Sequence, residues 1–147
     1  MNSGKGVAAI FSIVVAAVVA AQQGGFPILE GRFLGQDPPG LTPEVFAPGI
    51  VSTEAIEASL CFSYDDRFLV FRRGFREDTE IYLSELDDGV WTEAVNLGSE
   101  INSEESENRP FITADGKYLF FNSSANESRD VFWVDLGVVE QLRPVSQ

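Results

Sequence analysis

Two pairs of carboxylates stand at the same spacing in two places, Glu54 with Glu57 and Glu104 with Glu107. Two carboxylates held about 5 to 9 Å apart can divide the acid and base roles of a hydrolytic reaction. Their return at equivalent positions favours a structural use, bonding backbone amides or an Arg of the next repeat, over catalysis. Three further acidic groups have the oxygen-rich character that calcium takes: Asp65 with Asp66, the loop Glu77, Asp78, Glu80, and Asp87 with Asp88. None has the alternating Asp-x-Asp-x-Asp-Gly spacing of a dedicated calcium loop, so solvated turn residues are the favoured reading and no metal site is assigned. Arg72, Arg73 and Arg76 form the one basic cluster, suited to a carboxylate ligand or to ion pairs with neighbouring acids; ion pairs are favoured. Trp91 and Trp133 lie near strand ends and are candidate saccharide contacts, with core packing the stronger expectation. The chain has no His, which removes the commonest general base, the commonest neutral metal ligand and every Ser-His or Cys-His nucleophile arrangement. No catalytic residue and no cofactor is assigned, and the expectation is a protein that is not an enzyme.

These residues sit in a duplicated segment. Residues 53–84 recur without a gap at 103–134, an offset of fifty. Glu54, Glu57, Asp65, Leu69, Phe71 and Glu77 meet identical residues, and Thr53 meets Ser103, Phe68 meets Tyr118, Ile81 meets Val131 and Tyr82 meets Phe132. A period of about 40 to 50 residues signals repeat units, each unable to bury its own apolar face alone.

Ahead of the repeats, Lys5 is followed by an apolar run, Val7 to Ala21, broken only by Ser12 and ending in small residues. This is the pattern of a secretory signal peptide over 1–21, shorter than the roughly 20 apolar residues that span a bilayer, with a retained anchor as the lesser alternative. Export to a periplasmic or extracellular location follows, with no membrane association after cleavage. Without Lys5 the chain keeps nine basic against 23 acidic residues, which repels phosphate backbones and excludes nucleic acid as an expected partner. Cys61 is the single cysteine, so it forms no internal disulfide; between Leu60 and Phe62 it reads as a small core residue.

Residues 22–52 form a leader rich in Gly and Pro, which forbids a long helix; Glu44 to Ala47 is a possible short edge strand. The first repeat, 53–102, predicts four strands: Ser59 to Ser63, Phe68 to Arg72, Glu80 to Ser84, and Val90 to Val95 after the hairpin turn Asp88-Gly89. The second, 103–147, repeats the first three as Arg109 to Thr113, Lys117 to Asn122 and Asp130 to Val134. Its end reads as a short helix over Leu136 to Leu142, capped by Asp135, rather than a fourth strand. Asn122-Ser123-Ser124 and Asn126-Glu127-Ser128 fit the N-glycosylation pattern, which matters only in a eukaryotic secretory pathway.

The segments FSYDDRFLVF, Phe62 to Phe71, and ITADGKYLFF, Ile112 to Phe121, resemble the signature of TolB-type, WD-like β-propeller repeats, a Ser-Pro-Asp-Gly-Lys turn followed by an aromatic strand. Asp115, Gly116 and Lys117 match that turn directly, while Asp66 and Arg67 replace its Gly and Lys in the first copy. Asp130 to Trp133 resembles the Asp-Ile-Tyr opening of the third strand, and Leu34 to Gly49 looks like the leader of exported proteins of this kind. The resemblance covers roughly residues 34–143. It implies an all-β chain of two four-stranded antiparallel blades, a bacterial envelope location, and a binding or scaffold module contacting a protein or saccharide. Propellers close with about four to eight blades. Two therefore suggest an internally deleted gene, the favoured account, a fragment, or a protomer of a homo-oligomeric ring. The alternative function is a remnant of a propeller associated with a peptidase or a glycan-active enzyme.

Overall fold

The computed structural model describes residues 29–142, so the signal-peptide expectation for 1–21 and the start of the leader lie outside the described residues. The described part is mostly β, in two antiparallel sheets. Strands β1 (Glu57–Phe62), β2 (Phe68–Phe75), β3 (Asp78–Asp87) and β4 (Val90–Trp91) pair in sequence order, and β5 (Val95–Asn96) pairs with β3. The second sheet holds β6 (Glu107–Ile112), β7 (Tyr118–Ser123) and β8 (Asp130–Asp135), and helix α1 (Gly137–Leu142) is the last described element.

The duplication is reproduced down to single hydrogen bonds. Ser63 Oγ donates to Asp65 Oδ1 and accepts from the N–H groups of Arg67 and Phe68; Thr113 makes the same bonds with Asp115, Lys117 and Tyr118. Leu86 N donates to Arg67 O at 2.6 Å, and Leu136 N to Lys117 O at 2.7 Å. Both first strands are bulged, between Ala58 and Cys61 and between Asn108 and Phe111, with the bulge residues Ser59 and Arg109 at φ 56° and 51°.

Two parts of the expected pattern change. Strand four of the first copy is split into β4 and β5, because Thr92 turns inward: its N–H donates to Glu85 O, its carbonyl accepts from Ser84 Oγ and its hydroxyl accepts from Glu85 N. The second sheet has three strands rather than four, since the chain after β8 enters α1, where Gly137 N donates to the capping Asp135 Oδ1 at 2.8 Å. Glu44 to Ala47 form no strand. Pro43 and Pro48 flank them, and Ala47, at φ 43°, accepts the N–H groups of Ile50, Val51 and Ser52 in a tight loop.

The layers follow from strand alternation. One face of the first sheet, Phe68, Val70, Ile81 and Leu83 with half-buried Cys61, packs on Ile112, Leu119 and Phe121 of the second sheet and on Leu136 and Val139. The opposite face, Leu69, Phe71 and Trp91 with Phe62 and Tyr82, is covered by Leu29, Leu34, Ala47 and Val51 of the leader. The stacking order is leader, first sheet, second sheet.

Candidate binding surface

The paired carboxylates do not converge on a common site. Glu57 accepts from Thr53 N and Thr53 Oγ1 and pairs with Arg73 Nε at 3.2 Å, which makes it a clamp within the first sheet. Its counterpart Glu107 is fully buried; Oε1 accepts from Ser103 Oγ and Ser123 Oγ, each at 2.7 Å, and Ser123 stands where the first copy has Arg73. Among the described residues no donor reaches Glu107 Oε2. Around it, Thr79 Oγ1 donates to the Glu107 carbonyl and bonds Ser106 Oγ, tying the two sheets through polar groups. Glu54 and Glu104 point away and are exposed. The repeated spacing therefore encodes a strand-entry clamp.

The turn acids are equally local. Asp65 is held below its ordinary value of 3.8: partial burial pushes the other way, but the bonds from the Ser63 hydroxyl and the Arg67 N–H prevail. At Asp115 the Thr113 hydroxyl is the leading cause of the same lowering, helped by the Lys117 N–H and ammonium. Asp66 pairs with Arg32 at 2.7 Å, and Glu80 Oε2 accepts from Asn96 Nδ2. Among the described residues no group of three or more Cys, Asp or Glu side chains is placed to hold a metal ion.

The arginine cluster is dispersed by strand alternation. Arg72 points toward the second sheet, where its NH1 donates to Asn108 Oδ1 at 3.4 Å. Arg73 points the other way, bonding Glu57 and the Ile50 carbonyl and covering the rings of Phe71 and Tyr82 at 5.2 and 5.0 Å. Arg76 lies on the surface over Phe75. The three do not form one anion grip. Trp91 is 1 % exposed, sandwiched under the leader with its Nε1 donating to the Gly31 carbonyl, which is the core packing favoured for it over a saccharide contact.

Trp133 is different, at 63 % exposure. It belongs to the outer face of the second sheet, where Phe111, Phe120 and Trp133 are consecutive cross-strand partners over all three strands. Trp133 stacks on Phe120 and contacts Tyr118, with ring centroids 5.8 and 5.0 Å apart, and Val131 lies beside them at 67 % exposure. Phe111 is 57 % exposed. Period-two reading of the strands predicted core packing for these aromatics, whereas two stacked copies share one interface and leave outer faces uncovered; this one is open and the other lies under the leader. The offset of fifty was the available signal: Phe111, Tyr118, Phe120, Val131 and Trp133 are the counterparts of Cys61, Phe68, Val70, Ile81 and Leu83, the face that the first sheet buries against the second. Elsewhere the surface holds a mostly apolar cleft of about 250 Å³ between leader and first sheet, lined by Phe33, Pro38, Phe46 and Phe62, and a polar one of about 510 Å³ beside Glu77, Ser124 and Arg129.

No family model, no curated protein and no solved structure matches the chain.

Proposed function

We propose that this chain is a non-enzymatic, exported binding or scaffold module built from propeller-type blades, which contacts a protein or a saccharide through the outer face of its second sheet. The observation that carries the reading is the uncovered row Phe111, Phe120, Trp133, flanked by Tyr118 and Val131. The largest contiguous apolar patch of a protein surface, about 300 to 600 Å² on a typical monomer, is often a functional contact. Flat aromatic rings offer stacking area at low conformational cost, to a sugar ring or to another side-chain layer. The propeller character is supported by the turn motifs and their faithful duplication. Export to the bacterial envelope is supported by the Lys5 and Val7 to Ala21 pattern.

The two tryptophans make the test direct, because one is exposed and the other is enclosed. Acrylamide is expected to quench Trp133 and spare Trp91 in the free protein. Occupancy of the face then removes the quenchable fraction, on titration with cello- and chito-oligosaccharides or with rising protein concentration, and Trp133→Ala abolishes the response. Quenching of Trp133 that stays unchanged under all of these conditions overturns the reading.

A further inference from the structure

We propose that the occupant of this face is a second copy of the chain, in a two-fold dimer with the outer faces of the two second sheets opposed. The inference rests on the binding-face reading above and names the partner. Its first support is the internal interface already present. The face of the first sheet equivalent to the open one, Cys61, Phe68, Val70, Ile81 and Leu83, is covered by Ile112, Leu119 and Phe121 of another β-sheet, with Leu97, Ile101, Leu136 and Val139 closing the margins. The architecture thus uses this face to receive a sheet, and the dimer continues the stack by one more sheet-on-sheet layer.

The second support is elimination among the surfaces a copy can offer. The inner faces of both sheets are pressed together, and the far face of the first sheet lies under the leader residues Leu29, Leu34, Ala47 and Val51. A head-to-tail stack of copies would need that far face and is blocked by the leader. The outer face of the second sheet is the sheet face left open among the described residues. Pairing it with itself gives an isologous contact that closes at two copies and builds no filament.

Geometry and area agree with this arrangement. The row Phe111, Phe120, Trp133 forms a ridge across the strands, with Val131 and Asn122 on one side and Tyr118 on the other. Two such sheets about 10 Å apart and rotated by about 30° interdigitate as sandwich faces do. The exposed parts of these side chains supply on the order of 400 Å² of apolar surface per copy, taking about 150 to 250 Å² for a whole aromatic side chain. That is about half of the roughly 800 Å² per partner in a standard interface, which puts the dimer among weak, reversible contacts. Formal net charge is −13 per chain, which makes two copies repel at low salt. Screening removes that repulsion while leaving apolar burial intact, so association must tighten as salt rises.

Sedimentation equilibrium of the full chain, from about 5 to about 200 µM at about 0.05 and 0.5 M NaCl, tests the proposal. The expected result is a shift from the 16.1 kDa monomer to twice that mass, at several-fold lower concentration in the higher salt. Trp133→Lys and Phe111→Lys are expected to stay monomeric throughout while keeping the parent thermal midpoint within a few degrees; either variant that folds suffices. A chain monomeric over the whole range, a dimer retained in a folded variant, a larger assembly, or association weakened by salt overturns the proposal. A strict monomer whose Trp133 is shielded by an oligosaccharide overturns only the dimer. A strict monomer whose Trp133 is never shielded overturns the binding-face reading as well.

Discussion

Glu57 and Glu107 are the same residue in two copies of one motif, and neutralising them should move stability in opposite directions. Glu57 holds three bonds, from Thr53 N, Thr53 Oγ1 and Arg73 Nε, with side-chain exposures of 10 % for Glu57 and 22 % for Arg73. In Glu57→Gln the acceptor for the Thr53 hydroxyl survives but the charge opposite Arg73 is lost. Hydrogen bonds to a charged group contribute about 1.5 to 3 kcal/mol. Arg73 keeps its bond to the Ile50 carbonyl and its contacts with Phe71 and Tyr82, so the lower part of that range applies, about 2 kcal/mol. For a domain of this size 1 kcal/mol corresponds to about 3 to 6 °C in the midpoint, which gives a fall of roughly 6 to 12 °C.

At Glu107 the same substitution acts on a fully buried carboxyl group that no Lys or Arg pairs with among the described residues. Ser103 and Ser123 keep their acceptor, and an amide nitrogen replaces the oxygen that no donor among the described residues reaches. Burying an unpaired charge costs more than burying an amide. Glu107→Gln is therefore expected to leave the midpoint unchanged or raise it by up to about 5 °C, corresponding to roughly 1 kcal/mol. Differential scanning calorimetry of both variants beside the parent, at neutral pH and moderate salt, reads the two shifts. A fall at Glu107→Gln as large as that at Glu57→Gln would refute the reasoning, because the buried carboxylate would then have a stabilising partner of its own.

Gly74, at φ 125°, has no room for a side chain: an added Cβ would overlap the Asp78 carbonyl oxygen and lie 2.9 Å from Thr79 Cα. Gly74→Ala is expected to cost at least about 2 kcal/mol, read as a lowered urea midpoint at unchanged slope. Asn102 spans the edge of β3, accepting from Ile81 N and donating from Nδ2 to the Ile81 carbonyl, while it also donates to Asn96 Oδ1. Asn102→Ala leaves the buried Ile81 N–H without a partner, while the Ile81 carbonyl keeps its bond from Leu97 N, and should lower stability by about 1 to 3 kcal/mol in the same assay. Asp65 and Asp115 both have carboxyls lowered below 3.8, so the unfolded chain binds more protons than the folded one in that region. Their contribution is complete above the ordinary value and is lost as pH falls through the lowered one. The double variant Asp65→Asn, Asp115→Asn should therefore show a shallower loss of stability below about pH 4 than the parent, and an unchanged acid limb would count against the turn bonds.

What the sequence made legible was local and repeated. The turn residues Asp65 to Arg67 and Asp115 to Lys117, the aromatic strands after them, and the Asp88-Gly89 hairpin all fold as read, because turn chemistry and period-two alternation act within a few residues. The divided fourth strand was hidden in Thr92, whose bonds to Ser84 and Glu85 no hydropathy pattern announces. Alternation also told which residues share a face without telling what covers it. Arg72 and Arg73 look like one cluster in sequence and are parted by a single pleat, one toward the second sheet and one toward the leader. Trp91 and Trp133 look alike as strand-end aromatics, yet Trp91 is sealed by leader residues about sixty positions away, whereas Trp133 has no later segment over it among the described residues. The fate of each aromatic was thus set by the order of the layers, which the duplication encodes only when the two copies are compared face by face. Phe68, Val70, Ile81 and Leu83, with half-buried Cys61, became core because a second sheet follows them; in the same places of the second copy Phe111, Val131 and Trp133 are exposed and Tyr118 and Phe120 half-buried. The larger side chains stand on the open face, aromatic where the first copy has Cys61, Val70 and Leu83, so the surface that needs a partner has the greater apolar area to gain by finding one.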